Sequence, residues 1–142
     1  MNPDLHFVLG STYSSLSNIP KAIDSYNNAI QLDDKYVDAY NNLAAIYLDE
    51  ANIFIEKKNN LPINASQKKY DNLSKRIKEL RLQALPNLEK VFVLQPKDEV
   101  IIQTLKQIYY QLEMDQESIA MKRYLDAIKL GQETVLPSHL SQ

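Results

Sequence analysis

The sequence predicts an all-α protein built from consecutive helix pairs. Only 2 of its 142 residues are glycine, and residues that favour helix, such as Leu, Lys, Gln and Ala, are plentiful. Apolar residues recur at spacings of three and four over most of the chain, which is the period of one helix face. The chain also superimposes on itself at two different shifts, which indicates an internal repeat.

The two shifts define three repeat units. A shift of 34 residues places Leu9 on Leu43, and a shift of 62 residues places Ala22 on Ala84. Because the shifts differ by 28 residues, the second unit is predicted to contain a 28-residue insertion between its two halves. The predicted units are about 3–36, 37–98 (with the insertion at about 50–80) and 99–130.

The first unit contains two predicted helices with recognisable starts. Asn2 is a good N-cap and Pro3 suits the first helical position. Asn18 caps the second helix, and Pro20 is tolerated in its first turn. The predicted apolar stripes are Leu5, Val8, Leu9 and Tyr13 in the first helix, and Ala22, Tyr26, Ala29 and Ile30 in the second.

The second unit contains two longer predicted helices. The third helix starts near Val37 and keeps one apolar face to about Lys58. The breaker at residues 59–64 follows, and Asn64 with Gln67 forms a plausible capping box for the fourth helix. Its apolar stripe is Tyr70, Leu73, Ile77, Leu80, Ala84, Leu88 and Val91, and we expect a kink or short break at Pro86. The inserted residues are predicted to form a protruding helical hairpin.

The third unit is predicted to hold a fifth helix, from about Glu99 to Leu112, and a sixth helix. Asp115 is the expected cap of the sixth helix, and Gly131 suits its C-terminal end. Residues 132–142 show no period and are predicted to be a flexible tail. A single domain is therefore expected over residues 1–131.

The composition argues against catalysis. No cysteine is present, so thiol nucleophiles, disulfides and thiolate metal sites are excluded. The two glycines are too far apart for a phosphate-binding glycine loop. Neither His6 nor His139 has a partner at metal-ligand spacing. We therefore predict no enzyme activity and no catalytic, cofactor-binding or metal site.

The sequence also has no apolar run long enough to cross a bilayer. No leader peptide is recognisable after Met1. This leaves two compartments open: the cytoplasm or, if an upstream export signal has been removed, the periplasm.

The repeat resembles the tetratricopeptide repeat (TPR), a 34-residue helix–turn–helix unit. The matching residues are Leu9, Gly10, Tyr13, Ala22, Tyr26 and Ala29 in the first unit and Tyr40, Leu43, Ala44, Tyr47, Ala84, Leu88 and Pro96 in the second. His6 and Asp34 depart from the pattern, as do Lys106 and Ser118 in the third unit. Residues 84–90 look like the second helices of many bacterial TPR proteins. The resemblance implies an αα-superhelix of three TPR-like helix pairs, with an insertion that elongates the second pair.

The resemblance also implies a concave wall that binds a protein or peptide. The residues expected there are polar apart from two aromatics: Phe7, Ser11, Asn41, Asn42, Gln103, Gln107 and Tyr110. The other interpretation is a solvated surface. One TPR subclass grips a terminal carboxylate with cations, but those positions carry Phe7, Val100 and Thr104 here, so that mode is not predicted.

Charge is divided unevenly along the chain. Between Glu56 and Leu82 lie eight basic and three acidic residues, a net charge of +5, whereas the rest of the chain carries −7. The basic hairpin residues are Lys57, Lys58, Lys68, Lys69, Lys75 and Arg76. An acidic protein or an anionic membrane surface would suit them, and the scarcity of Arg and aromatics disfavours nucleic acid. The other interpretation is a solvated face.

We therefore predict a non-catalytic protein-interaction or scaffold module, which binds a protein or peptide partner on its concave face, on its basic hairpin or on both. The alternative is a structural or self-assembly fragment of a longer TPR array, because the first helix presents apolar residues with no helix before it. In that case the protein would form a homo-oligomer. No cofactor is expected in either case.

Overall fold

The computed structural model describes residues 2–141, and within that range it is all helical, with no β-strand. The predicted all-α class is therefore confirmed. The helices are α1 (Pro3–Ser15), α2 (Ile19–Leu32), α3 (Val37–Asn59), α4 (Gln67–Leu94), α5 (Glu99–Gln111) and α6 (Asp115–Lys129), followed by a short 3₁₀ turn, Ser138–Leu140. Met1, at the start of the expected domain, and Gln142, at the end of the expected tail, lie outside the described residues.

The helices pack in chain order. α1 packs on α2, α3 on α4 and α5 on α6, and the pairs are joined by α2 against α3 and α4 against α5. Each pair thus buries part of its apolar surface against the next pair, as in a TPR-like helical superhelix. The pairs surround two apolar cores, one beneath α1–α3 and one shared by α3–α6.

The caps explain where the helices begin. The Asn2 side chain accepts the Asp4 amide at 2.8 Å, as predicted. The capping box expected at Asn64 does not form, because Ser66 is the N-cap of α4 and accepts the Lys69 amide at 3.2 Å. At α6, Met114 occupies the cap position and Asp115 is the first helical residue.

The central pair is much longer than the others. α3 has 23 residues and α4 has 28, whereas the remaining helices have 13 to 15. α4 is continuous through Pro86, so the expected break is absent. The proline side chain faces solvent while its neighbours Leu85 and Leu88 are buried, so core packing holds the helix together on the opposite side.

Some predicted core residues face outwards. Tyr70 is 45% exposed near the start of α4, and in α1 Leu5 and Val8 are 48% and 57% exposed. In α1 the buried side lies elsewhere on the helix, because Phe7 and Gly10 contact Tyr26 of α2, whereas Leu5 and Val8 belong to neither apolar core.

The C-terminal segment differs from the expected flexible tail. Its described part, residues 132–141, returns to the body and buries Leu140 in the larger core at 6% exposure. The His139 ring packs edge-on against Tyr109 with 5.4 Å between ring centroids. Burial of apolar side chains therefore fixes a segment that shows no helical period.

The tightest approach between helices occurs at Gly10. A Cβ atom on this residue would lie 2.6 Å from Cε1 of Tyr26 and 2.7 Å from Cδ1. The Tyr26 ring is 2% exposed and packs against Phe7, so it has little room to move. Only glycine at this position lets α1 lie against the Tyr26 ring.

We expect Gly10→Ala to lower the free energy of unfolding by about 1–3 kcal/mol, because the added methyl group overlaps the Tyr26 ring. The measurement is urea denaturation followed by circular dichroism. Thr12→Ala on the exposed side of α1 is the matched control, and it should be neutral or slightly stabilising. A stable Gly10→Ala variant would contradict the close approach.

We also expect His139 to make stability depend on pH. Burial lowers the pKa of His139 below its ordinary 6.5, an effect that Glu117 opposes. The unfolded chain therefore takes up the proton first, so stability is full above the unfolded pKa and falls as the pH drops towards the lower folded pKa.

The test compares the wild type with His139→Gln by urea denaturation at pH values from about 7.5 to about 5. The wild type should lose more stability than the variant over this interval. Because all the other ionisable groups are the same in the two proteins, the difference between their losses of stability reports on His139. Equal losses would show that His139 does not carry the effect.

Candidate functional site

A groove of about 690 Å³ lies between α3 and α5, hereafter the α3–α5 groove. Leu48, Ala51 and Ile55 form its α3 wall, and Leu125 contributes from α6. These side chains give the groove an apolar lining on one side. The full lining is Leu48, Ala51, Asn52, Ile55, Arg81, Glu99, Val100, Gln103, Thr104, Gln107, Ile108, Gln111, Leu125 and Lys129.

The opposite wall carries a row of amides. Gln103, Gln107 and Gln111 are spaced by four residues on one face of α5, and all three are exposed. At 1.5 Å per residue the row is about 12 Å long. A glutamine side chain both donates and accepts hydrogen bonds, as a peptide backbone does. The groove therefore offers an apolar wall and a hydrogen-bonding wall to the same ligand.

Two cations enter the groove from other helices. Arg81 of α4 and Lys129 of α6 line it, together with the single acid Glu99. Burial lowers the pKa of the Arg81 guanidinium, which nevertheless stays charged at neutral pH. Arg81 also lines an adjoining cavity of about 270 Å³, whose other charged residues are Lys58, Lys78 and Glu113.

The predicted residues of the first unit form a separate polar cluster. The Tyr26 hydroxyl donates to Ser11 Oγ at 3.2 Å and accepts from Asn42 Nδ2 at 3.1 Å. All three line a cavity of about 260 Å³ between α1 and α3. Ser11 and Asn42 thus lie close together, but both side chains already form a hydrogen bond with Tyr26, so fewer of their donors and acceptors are open to a ligand.

The other predicted wall residues are dispersed. Phe7 stacks on Tyr36 at 5.2 Å and lies 5.7 Å from Tyr26, so it serves mainly as a packing residue between the first two pairs. Asn41 is partly buried. Tyr110 is 67% exposed on α5 and lies outside the groove lining. Of the seven predicted residues, only Gln103 and Gln107 line the α3–α5 groove.

The hairpin cations divide into two groups. Arg76 lies 2.9 Å from Glu50 and 3.7 Å from Glu79, and the Glu50 carboxylate raises its pKa. Lys57 lies over the Phe54 ring at 5.0 Å, and Lys58 over the Tyr70 ring at 4.9 Å.

The second group of hairpin cations is Lys68, Lys69 and Lys75. These side chains are exposed and form no ion pair within 4.0 Å among residues 2–141. The positive charge open to a partner is therefore concentrated near the start of α4.

The sequence reasoning missed the residues that shape the groove. Ile55 falls within the predicted hairpin and Arg81 within the basic stretch between Glu56 and Leu82, but the sequence pattern assigns neither residue to a site. Arg81 follows Ser74 and Lys78 on one face of α4, at spacings of seven and three. That spacing was the available signal, although it does not reveal that α5 lies opposite.

Two further findings concern the chemistry of the described residues. Within residues 2–141, His, Asp and Glu side chains form no group of three or more that could hold a metal ion. No helix in that range combines the length and the apolar character that a membrane span requires.

Comparison with known proteins gives one match. Residues 10–50 match the TPR repeat family, a segment that covers most of α1, all of α2 and the first part of α3. No curated protein and no solved structure matches the chain. The TPR resemblance of the first unit is thereby confirmed, while the insertion and the bacterial type remain predictions from sequence.

Proposed function

We propose that this chain, whose residues 10–50 match the TPR repeat family, is a non-catalytic interaction module that binds an extended protein segment in the α3–α5 groove. TPR repeats generally mediate protein–protein interaction. The observation that carries the proposal is the shape and lining of the groove: about 690 Å³, with an apolar wall facing a row of glutamines.

An extended segment fits this lining for a physical reason. Its backbone presents unpaired N–H and C=O groups, and burying them is unfavourable unless they find partners. The amides of Gln103, Gln107 and Gln111 supply such partners along about 12 Å. Apolar side chains of the same segment would pack against Leu48 and Ile55, so both kinds of group on the segment are satisfied.

The basic hairpin supports a second contact with the same partner. Lys68, Lys69 and Lys75 lie exposed on a hairpin of net charge +5, whereas the rest of the chain carries −7. An acidic partner would be attracted to the hairpin and repelled by the body, which orients its approach. We assign the hairpin this steering role and the groove the specific contacts.

The test begins with random linear peptides displayed on phage and selected on the full chain. A selected peptide is then synthesised with a fluorescent label, and its affinity is measured by anisotropy. We expect Gln107→Trp, which fills the groove from an exposed position, to weaken binding about tenfold or more. Gln116→Trp on the exposed face of α6 is the matched control and should leave the affinity unchanged.

The same peptide tests the hairpin. Combined Lys68→Glu, Lys69→Glu and Lys75→Glu should slow association and reduce its dependence on salt, with a smaller effect on dissociation. If Gln107→Trp binds every selected peptide as the wild type does, the groove is not the binding site and the proposal fails.

Self-association is the second candidate, and one observation favours it. Leu5, Val8 and Leu16 are 48%, 57% and 71% exposed on the side of α1 that faces away from α2. This apolar stripe would cover a similar surface on a second copy, as neighbouring units do within a repeat array.

Sedimentation equilibrium tests this candidate. If it holds, the wild type should dimerise, and Val8→Glu should return it to a monomer because a carboxylate would be buried in the contact. Asn28→Glu on the exposed side of α2 is the control and should leave the dimer intact. If the wild type remains monomeric up to high concentration, self-association through α1 is ruled out.

A further inference from the structure

Arg81 differs from Arg76, the other arginine of α4, in having no acidic partner among the described residues. Arg76, five residues earlier on α4, pairs with Glu50 and Glu79. Arg81 is more enclosed, yet among residues 2–141 it forms no ion pair within 4.0 Å and no side-chain hydrogen bond. A guanidinium has five N–H donors, so a half-buried one is normally paired.

The position of Arg81 is as informative as its lack of a partner. Its side chain lines both the α3–α5 groove and the adjoining cavity, and Gln111 is the other residue common to the two. A segment that follows the groove can therefore run past Arg81 into the second cavity. Because the cavity continues beyond Arg81, the group beside Arg81 would be a side chain in the middle of the bound segment and not its terminal carboxylate.

Most of the charged side chains around the second cavity are basic. Lys58, Lys78 and Arg81 line it, against the single acid Glu113. The charges that line the α3–α5 groove are closer to neutral, with two cations, Arg81 and Lys129, and one acid, Glu99. Positive potential thus increases from the apolar part of the groove towards the hairpin, in a protein whose body is acidic.

From these observations we propose that the groove recognises an extended acidic segment, with an Asp or Glu side chain held by Arg81. The inference rests on the proposed function and names the ligand class of that site. A carboxylate accepts two parallel N–H bonds from a guanidinium, which fixes both distance and direction. Apolar residues of the segment lie along Leu48 and Ile55, and the acidic residue lies where the groove meets the second cavity.

This mode uses a cation from the outer helix of the long pair. The positions that carry cations in the carboxylate-gripping TPR subclass are occupied here by Phe7, Val100 and Thr104. Arg81 comes instead from α4 and reaches the groove from the side. Its recognition of a carboxylate therefore depends on the packing of α4 beside α5.

The test uses the phage-selected peptides described above. We expect them to share one Asp or Glu at a fixed distance from apolar residues. Arg81→Gln should weaken a selected peptide about tenfold or more, since a charge-assisted hydrogen bond is lost. Arg123→Gln on the exposed surface of α6 makes the same charge change and should leave the affinity unchanged.

A double-mutant cycle identifies the contact. Replacing the shared Asp or Glu of the peptide by Asn or Gln should weaken binding to the wild type as much as Arg81→Gln does. The same replacement should have almost no further effect on Arg81→Gln. Thermal unfolding of Arg81→Gln should match the wild type, because the residue it replaces has no partner within the described fold.

The outcomes separate the two proposals. If Gln107→Trp abolishes binding while Arg81→Gln and the amide peptide bind normally, the groove remains the site and the Arg81 inference is overturned. If no selected peptide depends on Gln107, both proposals are overturned. Coupling between Arg81 and the peptide carboxylate supports both.

Discussion

The fold depends on one helix being apolar on two sides. Ala39, Leu43 and Ile46 of α3 belong to the core shared with α1 and α2, and Ala44 belongs to the core shared with α4–α6. Each of the other helices contributes apolar side chains, buried or partly buried, to only one of the two cores. Since one helix pair cannot bury its apolar surface alone, α3 is the element that makes two small cores into one structure. Small residues on both sides let its neighbours approach closely.

The length of α3 and α4 has a consequence for the surface. Both helices extend beyond the turns of the flanking pairs, so the apolar face of α3 opposite α5 is covered only in part. The uncovered part becomes the α3–α5 groove. In the same region the long pair also brings cations, some paired internally and some left exposed. Elongation thus creates an apolar surface and the charge beside it at once.

Sequence periodicity was sufficient for the number, type and order of the helices, because each has a repeated apolar stripe. Periodicity was less reliable where two different faces or two different caps fitted the same helix. In α1, Leu5 and Val8 form as regular a stripe as the residues that are buried, and only the position of α2 decides between them. Asn64 and Ser66 are both good N-caps, and the path of the loop selects Ser66. The tail has no period, since Leu140 is buried by a turn and not by a helix.

The candidate site was predicted less completely. Gln103 and Gln107 follow from the repeat, because they stand at positions where TPR first helices face inwards. Arg81 does not follow from it, since α4 carries many cations and their spacing does not show which one meets α5. A groove between elements that are distant in sequence is a property of packing, so residue pattern alone cannot define it.

The two cores also differ in how much of the chain each requires. The first draws on residues 7–46, whereas the second combines residues 37–140. During synthesis the first core has all its parts well before α5 and α6 emerge, and its contacts are local, which favours rapid folding. The second core is complete only after Leu140 has been synthesised. The first core is therefore positioned to form first, and loss of the C-terminal residues would remove Leu140 from the second core while leaving the first core intact.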